Sequence, residues 1–230
     1  MTTFQKNNLD FLIIALDFPD SLSALNLVKE LGDSVSFYKV GMQLFFSDGN
    51  HVIKSLKERK KKIFLDLKLN DIPETLYKTA KVLSSYSVEY LTLFSEKEGL
   101  EAAVKGFSEA RSHTKILNVT KLTSAGNLDG NNEAIVNQVL YRAKMTSEAG
   151  AAGVICSGKE TEAIRKSIPG DFTIINPGIR PAGSSLDDHQ RTVTPSMALK
   201  AGASHIVVGR PVTMAKNPLA AVENIVLEYN

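Results

Sequence analysis

The sequence predicts an α/β fold, a closed (β/α)8 TIM barrel, on three observations. Eight short apolar runs of strand type alternate with eight segments in which apolar residues recur at helical spacing. This alternation predicts a parallel sheet, and 230 residues is a usual length for one closed barrel. No internal repeat or linker interrupts the pattern, so residues 1–230 are expected to form a single domain.

Strands are predicted where a continuous apolar run is bounded by turn or charged residues. The first run stops at Asp17-Phe18-Pro19-Asp20, as a buried strand that enters a loop would. The eight predicted strands lie at 11–16, 36–40, 63 onward, 88–94, 115–119, 153–156, 172–176 and 205–208.

Helices are predicted where apolar residues recur three or four positions apart. In the first of them Gly32 is a typical stop signal, and the apolar residues at helical spacing are Leu22, Ala24, Leu25, Leu27, Val28 and Leu31. Pro73 stands early in the third helix, where its missing N–H does no harm. The eight predicted helices lie at 21–31, 43–59, 73–84, 97–111, 133–149, 159–167, 195–201 and 218–227.

The composition excludes several classes of protein. Hydrophobic residues make up 43% and charged residues 23%, which is typical of a soluble globular chain. A net charge of +2 is too small to indicate binding to nucleic acid or to a membrane surface. The basic run 57–62 is expected to be the solvated end of a helix. The single cysteine, Cys156, excludes an internal disulfide and a cysteine-based zinc cluster, and a buried thiol is expected. Without an apolar span or a secretory signal, we expect a cytoplasmic protein.

Charged side chains interrupt the third strand where a buried strand has no structural use for them. Asp66 and Lys68 are two residues apart, so on a strand they point to one face, and Asp71 follows past the strand end. Asp17 and Lys39 stand at the ends of the first two strands. Because the active site of such a barrel lies at the carboxyl ends of its strands, we expect all five charges at one mouth.

Two arginines beside glycines predict a phosphate site at the same mouth. Gly209 and Arg210 directly follow the eighth strand, and Arg180 lies in the loop after the seventh. Barrels of this class often bind phosphate there, through backbone N–H groups next to glycine and through the guanidinium fork.

The motifs together resemble one family over essentially the full length of the chain. The matching pieces are Ala15-Leu16-Asp17, Tyr38-Lys39-Val40-Gly41, Asp66-x-Lys68-x-x-Asp71-Ile72-Pro73, Leu122-Thr123-Ser124, Pro177-Gly178-Ile179-Arg180 and Val208-Gly209-Arg210-Pro211. They are similar to the orotidine 5'-phosphate decarboxylase family. The resemblance implies a homodimer of barrels that converts orotidine 5'-monophosphate to uridine 5'-monophosphate and carbon dioxide with no cofactor and no metal.

The resemblance also implies residue roles. The catalytic charge network would be Lys39, Asp66, Lys68 and Asp71, with Asp71 entering from the partner subunit. The remaining substrate-binding positions would be Asp17 and Thr75 at the ribose, Thr123 at the pyrimidine, Arg180, Gly209 and Arg210 at the phosphate, and Ile72 and Pro177 beside them.

The chain departs from the family pattern at two places. The closing loop has His189 where the family usually has a glutamine, and a shift of one residue would let the adjacent Gln190 reach the phosphate instead. The fourth strand ends without the histidine and glycines that are common in the family, at residues 94–97.

Loss of carbon dioxide from C6 leaves a carbanion in the ring plane, so its stabilisation must be electrostatic. We expect Lys68 to supply both the field and the proton, with Asp66 and Asp71 holding the ammonium in position. Binding of the phosphate is expected to close the loop 181–191 over the ring.

Three other functions remain open from the residues. A magnesium-dependent sugar-phosphate barrel of the same group would need a carboxylate where the second strand has Lys39. A non-catalytic nucleotide-binding barrel would use the same charges for recognition alone. A Schiff-base aldolase using Lys68 is disfavoured because neighbouring carboxylates raise the proton affinity of an amine.

Overall fold

The computed structural model describes residues 9–122, 132–181 and 193–229. Eight parallel strands form a closed barrel in the order of the chain. The strands are β1 (Leu12–Ala15), β2 (Phe37–Gly41), β3 (Lys62–Leu69), β4 (Tyr90–Leu93), β5 (Lys115–Val119), β6 (Gly153–Ile155), β7 (Thr173–Asn176) and β8 (His205–Val208). The predicted (β/α)8 barrel is therefore confirmed.

The helices lie between the strands and around the barrel. They are α1 (Ser21–Leu31), α2 (Met42–Glu58), α3 (Pro73–Leu83), α4 (Lys97–Glu109), α5 (Asn132–Glu148), α6 (Thr161–Ser167), α7 (Pro195–Lys200), α8 (Arg210–Thr213) and α9 (Pro218–Tyr229). Eight of them were predicted. The short α8 was not, because four residues are too few to show a helical period.

Side-chain alternation along the strands divides the core into two layers. Inside the barrel, Ile13, Phe64 and Ile175 belong to one buried cluster. Between barrel and helices, residues of the opposite parity such as Ile14 and Leu65 belong to another. The pairing of β1 with β8 closes the sheet, so the strand ends meet at two rims.

The amino-terminal rim is filled by a polar and aromatic cluster. The His205 Nδ1 lies 2.7 Å from the carbonyl oxygen of Asp10, and its Nε2 lies 3.0 Å from the Tyr90 hydroxyl. Since a carbonyl can only accept, Nδ1 carries the ring proton and Nε2 accepts from Tyr90. Burial lowers the pKa of His205 below its usual 6.5. The Lys62 ammonium pairs with the Asp10 carboxylate at 2.6 Å.

The basic run 57–62 contacts the protein itself. Lys61 Nζ donates to the carbonyl oxygens of Gly32 and Val35 at 2.6 and 2.9 Å, and an Arg59 guanidinium nitrogen donates to a carbonyl of α2 at 2.8 Å. Only the Arg59 contact lies at the end of α2, as predicted; Lys61 instead has a mostly buried side chain that contacts the segment after α1, so it is not part of a solvated helix end. Among the described residues, no helix is long and apolar enough to cross a membrane.

Candidate active site

A cavity of about 610 Å³ opens at the carboxyl-terminal rim of the barrel. Among its described lining residues, five side chains are basic and two are acidic, so the cavity favours an anionic ligand. The charged lining residues are Asp17, Lys39, Asp66, Lys68, Lys121, Arg180 and Arg210. Four of the five charges expected at one mouth therefore share this cavity in a single chain.

Four of these side chains form a chain of alternating charge across the mouth. Lys39 Nζ lies 2.8 Å from Asp17 Oδ1 and 3.5 Å from Asp66 Oδ2. Asp66 Oδ2 in turn accepts a hydrogen bond from Lys68 Nζ at 2.8 Å. Each inner group thus lies between two groups of opposite sign, which offsets the cost of burying it.

The pKa values of the two inner groups follow from this arrangement. Burial alone would raise the pKa of Asp66, but the ammonium groups of Lys39 and Lys68 hold it below the usual 3.8. Burial alone would lower the pKa of Lys39, but the carboxylates of Asp66 and Asp17 raise it above the usual 10.5. Both groups therefore stay charged at neutral pH.

The backbone at Lys68 is not that of a regular strand. Its φ is +49°, in the left-handed region, and the pairing of β3 with β4 shifts register between Leu65 and Leu69. Asp66 and Lys68 do line the same cavity, but the simple two-residue alternation used to predict this does not describe the backbone that achieves it.

Gly41 leaves room for the ion pair beside it. A Cβ at this position would lie 3.1 Å from Asp17 Oδ1 and 3.2 Å from Lys39 Nζ. Gly41 ends β2, so a larger side chain there would press on both charged atoms.

The phosphate-site candidates also reach the cavity. Pro177, Arg180, Gly209 and Arg210 are among its lining residues. Arg180 is 6% exposed, and its backbone N–H donates to the carbonyl of Val193 at 3.1 Å.

Three predicted site residues do not line the cavity of their own chain. The Asp71 carboxylate is exposed and accepts a hydrogen bond from the Ile72 N–H at 2.7 Å. Ile72 is 66% exposed, and Thr75 is half-buried on α3. Three others, Thr123, His189 and Gln190, lie outside the described residues.

Arg142 organises the rim where the sequence departs from the family pattern. Its guanidinium donates to the carbonyl oxygens of Ser95 at 2.9 Å and Val119 at 3.4 Å, and to the Glu96 carboxylate at 2.7 Å. It also lies over the Phe94 ring, 5.1 Å from the centroid. Arg142 thus joins the ends of β4 and β5, and sequence reasoning did not identify it.

Sequence reasoning also missed Thr92 on β4, whose hydroxyl contacts both Asp66 and Lys68. His51, His113, His205 and Cys156 lie outside the charge network, and Cys156 is a buried thiol that forms no disulfide, as expected. Within 9–122, 132–181 and 193–229, no group of three His, Cys, Asp or Glu side chains is placed to hold a metal ion.

Comparison with known proteins gives consistent matches over nearly the whole chain. A family model described as Orotidine 5'-phosphate decarboxylase / HUMPS family matches residues 10–225. An orotidine 5'-phosphate decarboxylase of Lactobacillus acidophilus is 42% identical over 233 residues, covering 95% of this chain and 98% of the relative. Another, of Rhodopseudomonas palustris, is 40% identical over 223 residues, covering 95% and 94%. A crystal structure of the enzyme from Lactobacillus acidophilus superimposes with a TM-score of 0.80 at 38% identity, covering 95% and 98% of the two chains.

Proposed function

This chain belongs to the orotidine 5'-phosphate decarboxylase / HUMPS family, and we propose that its cavity converts orotidine 5'-monophosphate to uridine 5'-monophosphate and carbon dioxide, the final step in making uridylate. The observation that carries the proposal is the alternating row Asp17, Lys39, Asp66 and Lys68 at the mouth of an electropositive cavity. This row can stabilise negative charge that develops on a substrate atom, because its ammonium groups are fixed before the substrate arrives.

The cavity matches the substrate in charge and size. Orotidine 5'-monophosphate carries a phosphate and a carboxylate, and the described lining residues are predominantly basic. A volume of about 610 Å³ is within the usual range for small-molecule sites, roughly 300–1,000 Å³. Arg180, Arg210 and the Gly209 backbone would bind the phosphate, and Asp17 a ribose hydroxyl.

In the proposed reaction the bond between C6 and the carboxylate breaks, carbon dioxide leaves, and the electron pair remains on C6. The ring offers no adjacent carbonyl to delocalise that pair, so the Lys68 ammonium must stabilise it by charge. Lys68 Nζ then donates a proton to C6, which forms uridine 5'-monophosphate, and recovers a proton from solvent. The hydrogen bond to Asp66, 2.8 Å long in this structure, would hold Lys68 in position for both steps.

The decisive experiment measures carbon dioxide release from orotidine 5'-monophosphate by the purified chain in EDTA. At an effective dielectric constant of about 20, a charge about 4 Å from the carbanion contributes about 4 kcal/mol, or about a thousandfold in rate. Lys68→Ala should therefore lower kcat by about a thousandfold or more while uridylate still binds. The matched control is Lys62→Ala, on the same strand at the opposite rim, where the lysine also pairs with a carboxylate.

Wild-type kcat in Lys68→Ala would refute the role of Lys68. Activity that EDTA abolishes would instead favour the magnesium-dependent sugar-phosphate barrels. Binding of uridylate without turnover by the wild type would mean a nucleotide-binding barrel, and borohydride trapping of a substrate on Lys68 would reveal an aldolase.

We further propose that the active unit is a homodimer in which Asp71, Ile72 and Thr75 enter the partner's cavity. Their position outside the cavity of their own chain supports this, as does the exposure of the apolar Ile72. Mixing inactive Lys68→Ala and Asp71→Ala subunits would leave both native groups in one site of each mixed dimer. Random reassociation should then recover about a quarter of the wild-type activity, and no recovery would count against a shared site.

We also propose a cytoplasmic location, since the sequence has a single cysteine, Cys156, and therefore no internal disulfide, as is usual in a reducing compartment. No nucleic-acid or membrane partner is proposed. Fractionation of cells that produce the chain tests the location directly.

A further inference from the structure

Thr92 is a buried hydroxyl in the inner layer of the barrel. It lies on β4 between Tyr90, in the inner cluster, and Phe94, which packs against that cluster. Its exposed fraction is 0%, so it does not touch a ligand in the cavity. A buried hydroxyl costs free energy unless it is hydrogen-bonded, and Thr92 makes two hydrogen bonds.

Both hydrogen bonds of Thr92 go to the charged pair on β3. The Lys68 backbone N–H donates to Thr92 Oγ1 at 2.9 Å, and the Thr92 hydroxyl donates to Asp66 Oδ1 at 2.9 Å. The direction of the two bonds is fixed, because an N–H can only donate and an ionised carboxylate can only accept. One hydroxyl therefore holds the side chain of Asp66 and the backbone of Lys68 together.

The Asp66 carboxylate divides its two oxygens between different tasks. Oδ2 faces the Lys68 ammonium at 2.8 Å and the Lys39 ammonium at 3.5 Å, while Oδ1 accepts from Thr92. Without a donor on Oδ1, the carboxylate could rotate about its terminal torsion, which is intrinsically broad. The Thr92 hydroxyl thus directs Oδ2 toward the two lysines.

The same hydroxyl replaces a ladder hydrogen bond at the irregular part of the sheet. Leu65 pairs with Leu91 and Leu69 with Leu93, so three residues of β3 lie opposite Thr92 alone. In this bulge Lys68 has φ +49°, a conformation that is unfavourable for lysine and persists only when its surroundings enforce it. The side-chain acceptor on Lys68 N–H is one such constraint.

We infer that Thr92 is a positioning residue for the decarboxylation: its hydroxyl fixes the Asp66 carboxylate and the left-handed Lys68 backbone, and so places the Lys68 ammonium at C6. The inference rests on the proposed function. Because Thr92 lies behind the cavity, its loss affects the placement of Lys68 and leaves the groups that bind phosphate and ribose intact.

The test compares Thr92→Ser with Thr92→Cys, which differ by one atom. Serine keeps the hydroxyl, whereas a thiol is a weak donor and acceptor. We expect the serine variant to keep most of kcat, and the cysteine and Thr92→Val variants to lose about 10- to 100-fold of kcat with KM little changed, as misplacement of a catalytic group does. The control is Thr114→Val, which removes a buried hydroxyl that donates to the Val88 carbonyl at the opposite rim.

A second measurement does not depend on activity. Hydrogen exchange at the Lys68 amide should quicken in the cysteine and valine variants and stay slow in the serine variant and the Thr114→Val control, because only the former lose the acceptor. If Thr92→Val fails to fold, the comparison of Thr92→Ser with Thr92→Cys still tests the role of the hydroxyl. Failure of the wild type to release carbon dioxide would overturn the proposed function, and the exchange data would still report whether the hydroxyl holds Lys68.

Four results would overturn the role of Thr92. The first three are wild-type kcat in the cysteine variant, equal losses of kcat in the serine and cysteine variants, and a loss that appears as raised KM at constant kcat. An equal loss in Thr114→Val would assign the effect to stability and would overturn it too.

Discussion

The left-handed backbone at Lys68 predicts that glycine is more stabilising than alanine at this position, which reverses their usual order. Two variants, Lys68→Ala and Lys68→Gly, both remove the ammonium and its 2.8 Å contact with Asp66. The two differ in the Cβ, which is strained at φ +49° in alanine and absent in glycine. Both should be inactive, but the glycine variant should be the more stable.

The magnitude follows from two opposing effects. The left-handed conformation costs a residue with a Cβ about 1–2 kcal/mol, whereas glycine loses about 0.5–1 kcal/mol more conformational free energy than alanine on folding. With the middle of each range, the remaining difference is about 0.75 kcal/mol in favour of glycine. For a chain of this size each kcal/mol shifts Tm by about 2–4 °C, so the glycine variant should melt roughly 1–4 °C higher.

Thermal unfolding of the two variants, with uridylate absent, measures the difference. Lys62 on the same strand provides the matched control, since it is not among the described residues with positive φ. There the order should reverse, with Lys62→Ala more stable than Lys62→Gly, because a regular strand position gains nothing from glycine. A Tm for Lys68→Gly at or below that of Lys68→Ala would refute the assignment of strain to Lys68.

Three further predictions concern stability away from the charge network. Burial lowers the pKa of His205 in the folded protein below 6.5. As the pH falls, His205 is therefore protonated in the unfolded chain before it is protonated in the folded one, and the free energy of unfolding should fall below about pH 6.5. Urea titrations across pH should show this fall flattened in His205→Gln and retained in the exposed control His113→Gln. Arg142→Met removes two charged hydrogen bonds to backbone carbonyls and should cost about 1.5–3 kcal/mol in urea unfolding; a cost below about 0.5 kcal/mol would contradict the role of Arg142 at the rim. Lys61→Met should cost about 1–3 kcal/mol for the two carbonyls it leaves without a donor, whereas Lys60→Met on the exposed turn should cost little, and equal costs would argue against the Lys61 contacts.

The fold could be predicted because its signals are local. Each strand is a continuous apolar run, each long helix shows its period, and every predicted strand falls within two residues of an observed one. Helix α8 was missed since its four residues, Arg210–Thr213, complete barely one turn.

The site could be predicted only as far as local spacing reaches. Asp66 and Lys68 are two residues apart, so their common face was visible in the sequence. The bulge that sets the geometry of Lys68 depends on how β3 pairs with β4, and Thr92 contacts Asp66 across 26 positions. Arg142 lies 47 positions from the Ser95 carbonyl that it binds. No periodicity links such pairs, and a threonine or arginine alone carries no specific signal.

The arrangement of the charges explains why the fold tolerates them and why they suit the reaction. A buried carboxylate or ammonium costs several kcal/mol unless it is paired, and removing one partner of such a pair typically costs about 3–5 kcal/mol. Asp66 lies between two ammonium groups and Lys39 between two carboxylates, so each inner charge stabilises its neighbours. Lys68 ends the row: Asp66 is its single carboxylate neighbour among the described ion pairs, and its side chain is more exposed than those of the two inner groups, Lys39 and Asp66. A negative charge on the substrate is therefore stabilised most strongly beside Lys68. The Lys68 ammonium is held in place, and its charge is less fully neutralised than that of Lys39. A carbanion at C6 would complete the alternation that the protein leaves open at this end.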